Sequence, residues 1–72
     1  MSRVVAIGPR ASLAGYALAG VEAIDAADAA AAQRAWDELP ADVGLVLLGP
    51  TAQAALAERL AKSPRLWVVL PE

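Results

Sequence analysis

The sequence predicts an α/β domain with a four-stranded parallel sheet in the order 2-1-3-4, flanked by helices. Three observations carry this. Short β-branched runs alternate with alanine-rich runs along the 72 residues. Strands that alternate with helical crossovers imply parallel pairing and right-handed connections. The runs at residues 3–7 and 43–48 are apolar at consecutive positions, the pattern of strands buried on both faces, so they belong at the centre. The run at residues 21–24 is short and better alternated, which suits an edge.

The first strand, Arg3-Val4-Val5-Ala6-Ile7, stops at Gly8-Pro9. Residues 11–19 read as a helix, with Ser12 as N-cap and Gly20 where a left-handed C-terminal residue belongs. Gly15 inside that helix costs roughly 1 kcal/mol against alanine, which points to a close backbone approach. After the second strand, Asp25 or Asp28 caps the next helix, whose inner face is Ala32, Ala35, Trp36 and Leu39 at i, i+3, i+4, i+7 spacing. Pro40 stops it. The third strand ends at Gly49-Pro50. Thr51 is expected to cap a third helix with an inner face of Ala52, Ala55, Leu56 and Leu60; Lys62 suits its C-terminal dipole and Pro64 forbids its continuation. Leu66-Trp67-Val68-Val69-Leu70 forms the last strand.

Composition narrows the function. Cysteine and histidine are both absent, which removes disulfides, zinc clusters, thiol nucleophiles and imidazole bases together. The net charge of −2 gives no polyphosphate-binding surface, so no nucleic acid is expected. The hydrophobic fraction of 58 % owes much to 19 alanines, and no apolar run approaches the ~20 residues of a membrane span. The apolar stretch after Arg3 is broken at Gly8-Pro9-Arg10, unlike a signal peptide. The expectation is a soluble cytoplasmic domain.

Catalytic constellations fail on their residues. A dinucleotide site needs G-x-G-x-x-G at the first turn; here Gly8 is followed by Pro9-Arg10, and the next glycine is Gly15. A P-loop would require Gly-Lys-Ser/Thr, which does not occur. A phosphoryl-accepting receiver domain needs an acidic pair after strand one, an aspartate ending strand three and a lysine after strand four. Gly8-Pro9, Gly49-Pro50 and Pro71-Glu72 stand there instead, which leaves a receiver-like adaptor without phosphoryl chemistry as an alternative reading. Ser2, Ser12, Ser63, Thr51 and Tyr16 have no histidine to activate them, and Lys62 is the single lysine. Asp37-Glu38 occupy adjacent helix positions about 100° apart, a solvated face rather than an acid–base pair. No catalytic residue, metal or cofactor is expected. Arg10 beside a helix N-terminus can hold an anion or meet a partner. Trp36 and Trp67 read as core or interface residues.

One segment is more particular. Gly8, Arg10, Ser12, Gly15, Tyr16, Leu18, Gly20 and Val21 lie at the spacing seen in the opening of the F subunit of V-type (archaeal/bacterial A/V-type) rotary ATPases, which this chain resembles. In that family a strand ends in glycine. An arginine, a serine or threonine, a glycine-aromatic pair, a leucine and a glycine-valine then lead into strand two. The specific part covers about the first 21 residues; the architecture fits throughout. The third strand departs from the family, ending in Gly49-Pro50 where a polar or acidic residue is usual. The family also continues beyond its fourth strand into a segment that reaches the catalytic ring. Since the sequence ends at Glu72, a single subunit-F-like α/β domain over residues 1–72, lacking that segment, is expected. The resemblance implies a non-catalytic rotor component of a V-type ATPase that docks on the coiled-coil D subunit of the central stalk. It would couple or regulate ATP hydrolysis or synthesis with ion transport, peripheral to the membrane. Arg10, Ser12, Trp67 and Val69 are the candidate partner-binding residues.

Right-handed crossovers add a further expectation. In the order 2-1-3-4 the helix after strand one covers one face and the later helices cover the other. Strands three and four are then left without a helix on the first face, although both are apolar on both sides. Such a face is expected to be covered by a family-type C-terminal segment, a second copy or the stalk, and the isolated chain is expected to self-associate.

Overall fold

The computed structural model describes residues 3–11, 13 and 20–70. Four strands, β1 (Arg3–Gly8), β2 (Glu22–Asp25), β3 (Val43–Leu48) and β4 (Leu66–Val69), form one all-parallel sheet in the order β2-β1-β3-β4. Among the described residues three helices of a turn or more accompany it: α1 (Ala29–Asp37), α2 (Pro50–Ala55) and α3 (Ala57–Lys62). Ala11 and Leu13 are also helical. The expectations at Ser12, Gly15 and Tyr16 fall outside the described residues.

The core lies between one sheet face and these helices. Val5 and Ile7 of β1 align with Val46 and Leu48 of β3. Paired residues of a parallel ladder point to the same face, so these four form one layer. Ala32 of α1, Ala52 of α2, Leu56 between α2 and α3, and Leu60 of α3 close over it. The inner faces expected from helical spacing are therefore the ones used. On the opposite face Ala6 and Leu13 are buried.

Gly44 interrupts β3 for a reason. Arg3 pairs with Val43 and Val4 with Leu45, so β3 carries one extra residue opposite β1. Such a bulge reverses the alternation. It turns Val43 onto the helix-covered face, where it joins the core, although it differs in parity from Val46 and Leu48. Gly20 has φ +86°, the left-handed backbone expected of it.

Two capping expectations are settled. Asp28 caps α1, its Oδ1 accepting from the Ala31 N–H at 2.8 Å, whereas Asp25 ends β2 and turns elsewhere. Thr51 does not cap α2. Gly49 is the N-cap, with no side-chain hydrogen bond, and Pro50 occupies the first turn. Proline has no N–H needing a cap, so the start is set two residues earlier than a threonine cap would set it. The third helix is also not continuous. Leu56 (φ −102°, ψ 8°) leaves helical geometry and divides α2 from α3. Asp28→Ala is expected to destabilise the domain by about 1 kcal/mol, measured by urea unfolding; an unchanged midpoint would contradict the cap.

Candidate functional site

Open α/β sheets bind ligands outside the carboxyl ends of the strands, where the strand order reverses. Here that point lies between β1 and β3. The Gly8 and Gly49 turns meet there, with the Gly49 N–H donating to the Ile7 carbonyl at 3.1 Å. A Cβ on Gly8 would sit 3.6 Å from Leu13 Cδ2 and 3.8 Å from the Gly49 nitrogen. Both glycines are buried. Backbone and the Leu13 side chain thus lie within ordinary van der Waals reach of a Cβ placed at Gly8.

Arg10 stands beside this point. Its N–H donates to Asp25 Oδ1 at 3.1 Å, and its Nε lies 3.9 Å from Asp25 Oδ2. The side chain is 87 % exposed. A carboxylate already faces the guanidinium, which weakens any anion site there. Trp67 and Val69 lie on β4, two strands beyond β1, a separation of roughly 10 Å at sheet spacing. The structure therefore does not gather the candidate partner-binding residues into one site. Arg10 belongs to the β1–β2 end, Trp67 and Val69 to the far edge, and Ser12 lies outside the described residues.

The shifted titratable groups are structural. Asp37 of α1 accepts from Arg59 of α3 at 2.9 Å (Nε to Oδ1) and 3.0 Å (Nη2 to Oδ2). These charge-assisted bonds hold the Asp37 carboxyl below its usual range and raise the Arg59 guanidinium. Arg3 bridges Glu22 and Asp42, and its pKa is raised first by the hydrogen bond to Glu22. All are exposed ion pairs tying elements together, and none faces a cleft. Among the described residues no group of three or more acidic side chains is placed to hold a metal ion, and no polar side chain is buried.

Because the folded Asp37 pKa is depressed, its contribution is fully present above the unfolded value near 3.8. It is lost as pH falls through the folded value. Asp37→Asn should therefore flatten the acid limb of the stability–pH profile below about pH 4. Parallel profiles for the two proteins would contradict this.

What distinguishes the molecule is β4. Leu66 is 70 % exposed, Val68 49 %, Val69 39 % and Trp67 37 %. The ladder pairs Leu66 with Leu45, Trp67 with Val46, Leu47 with Val68 and Leu48 with Val69. Trp67 and Val69 therefore lie on the helix-bearing face but beyond the helices' cover. Leu66 and Val68 lie on the other face, beside half-buried Leu45 and Leu47. The bare face expected from crossover handedness is present and is most open at β4, and the exposure also extends around the edge. Arg65, just before β4, is held away from this strip: its Nη2 donates to the Pro40 carbonyl at 3.2 Å, and its Cζ lies 5.7 Å from the Trp36 ring centroid, within cation–π range. A shallow groove of about 310 Å³ adjoins the strip at the amino ends of β3 and β4, lined by Ala41, Val43, Gly44, Pro64, Arg65 and Leu66. The exposure of β4 was readable from handedness, but the Gly44 bulge beside it was not, because an isolated glycine in a strand signals a bulge without its direction.

Among the described residues no helix is long and apolar enough to cross a membrane. Comparison with family models, curated proteins and solved structures finds no match.

Proposed function

We propose that the chain is a non-catalytic docking domain that joins the central stalk of a rotary ATPase in the manner of the F subunit. Its surface for the coiled-coil stalk protein would be the bare face formed by Leu45, Leu47, Leu66 and Val68. The observation that carries the docking role is the exposure of Leu66 and Val68 on a parallel sheet, a type normally covered on both faces. A long apolar helical surface is the complement such a face accepts. The rotary-ATPase assignment rests on the residue pattern from Gly8 to Val21. The Gly8-Pro9-Arg10 turn, which lacks the further glycines that close approach of a pyrophosphate requires, supports a role without bound nucleotide. On this reading the domain turns with the stalk, peripheral to the membrane, and couples or regulates ATP hydrolysis or synthesis with ion transport.

The test is direct mixing. The 72-residue chain and the coiled-coil stalk protein of the same cell should elute together in size-exclusion chromatography as a 1:1 complex, and calorimetry should give a saturable isotherm. Failure to associate at concentrations on the order of 100 μM, where even a weak interface of standard size is populated, would refute the stalk assignment. It would favour a receiver-like adaptor, whose partner would be a different protein.

A further inference from the structure

The free edge of β4, as distinct from its bare face, is built to pair with a second copy of itself. In a parallel ladder the N–H and C=O of one residue point to one neighbour, and those of the next residue point the opposite way. The Leu70 N–H donates to the Leu48 carbonyl at 2.7 Å, so Leu66, Val68 and Leu70 direct their backbone groups at β3. Trp67 and Val69 direct theirs outward. Among the described residues no backbone or side-chain partner takes them.

We propose that two chains join β4 to β4 in antiparallel fashion about a two-fold axis at Val68, making a continuous eight-stranded sheet. Only this register satisfies every group from residue 66 to 70. Trp67 of each copy faces Val69 of the other as a hydrogen-bonded pair, which gives four N–H···O=C bonds. Val68 faces Val68, and Leu66 faces Leu70, as non-hydrogen-bonded pairs. The pairing also puts the helix-bearing faces of both copies on the same side. A register shifted by one pair would face Trp67 with Trp67 and call on the Arg65 N–H, which already donates to Ser63 Oγ at 3.0 Å.

The occupant is a second copy because each contact is self-complementary and no charge lies between residues 66 and 70. The usual guards of an edge strand are missing there: lysine, an internal proline or an inward charge. The pairing engages a single five-residue segment of each copy, residues 66–70, well below the roughly 20–30 residues and ~800 Å² per partner of a standard interface. The dimer should therefore be reversible, with Kd on the order of 10–100 μM. It uses the backbone edge of β4 and leaves Leu45 and Leu47 of the bare face uncovered, so its test does not require the stalk protein.

The chain contains no cysteine, so single replacements report the register cleanly. Across a non-hydrogen-bonded pair the Cα atoms lie about 4.5 Å apart, within disulfide range. Val68→Cys should oxidise to a covalent dimer at least tenfold faster than Leu66→Cys, whose thiols would be roughly 13 Å apart along the strands. A mixture of Leu66→Cys and Leu70→Cys should recover the fast rate. Circular dichroism of each variant reports that the fold is kept. Sedimentation equilibrium of the unaltered chain should show monomer and dimer only. Equal oxidation rates at Val68 and Leu66, a monomer at concentrations up to about 1 mM, well above the Kd range expected for so small an interface, or open-ended assembly would each overturn the proposal.

Discussion

Leu56→Ala is expected to lower the unfolding free energy by about 2–5 kcal/mol. The whole domain, at ~0.05–0.15 kcal/mol per residue, has only about 4–11 kcal/mol in hand. The substitution would therefore remove a large fraction of the stability. Leu56 is fully buried. It stands at the break between α2 and α3, its N–H shared between the Ala52 and Gln53 carbonyls at 3.0 and 3.3 Å. Its side chain reaches the layer of Val46 and Leu48. Besides Leu56, the buried helical residues of this core are Leu60 and the alanines Ala32 and Ala52, which bring one methyl each, and the large fully buried side chains are Val5, Ile7, Leu13, Val46, Leu48 and Leu56. Neighbouring alanines have no length with which to fill the void, so the cavity persists and the upper part of the range applies. At ~4–8 °C per kcal/mol, a loss of about 2–5 kcal/mol should lower the melting temperature by roughly 10–40 °C. Leu66→Ala, at an exposed site, should shift it little. A loss below about 1 kcal/mol for Leu56→Ala, well under the range for a buried leucine, read by urea titration with unchanged m-value, would show that α2 and α3 are not part of the cooperative core.

That core also shows which features the sequence makes legible. The strands were readable because two-sided burial leaves consecutive apolar residues, as in Val4 to Ile7 and Leu45 to Leu48. Strand order followed from which runs were two-sided. The inner faces of the helices followed from spacing at Ala32, Ala35 and Trp36 and at Ala52, Leu56 and Leu60. The break at Leu56 was not readable, because leucine is a good helix former and no proline or glycine marks the change. Tertiary packing sets that angle. The choice between Asp25 and Asp28 was not readable, because it depends on where β2 ends: Asp25 closes the strand and accepts from the Arg10 N–H, 15 residues away, and Asp28 is left to cap the helix. The Asp37–Arg59 pair joins two helices 22 residues apart, and only a fold can bring it together. The candidate site divides in the same way. Trp67 and Val69 were legible as apolar residues of a last strand. Leu66 and Val68, on the barer face, needed the handedness of the crossovers, and the outward backbone groups needed the ladder itself.

The second large effect concerns binding. Leu66→Lys is expected to weaken association with the coiled-coil stalk protein by roughly 30-fold or more, the range of a central interface residue, while leaving the fold intact. Leu66 is already 70 % exposed, so a charge there stays hydrated in the free domain and the change in unfolding free energy should stay within about 0.5 kcal/mol. In the complex the same position lies beside Leu45, on the face proposed to receive the partner. Burying an ammonium there without a counter-charge costs more than the lost leucine contact. Leu66→Asp separates the two explanations that remain. If desolvation sets the loss, aspartate and lysine weaken binding alike. If the partner's net charge sets it, the two substitutions act in opposite directions. Ala54→Lys adds the same charge on the exposed side of α2, opposite the bare face, and should leave affinity within about twofold, as for a surface change away from the interface. Calorimetric titration of the unaltered chain and the three variants against the stalk protein decides the matter. Unchanged affinity for both Leu66 variants would move the docking surface away from β3 and β4, because no partner can cover this face without taking Leu66 out of water.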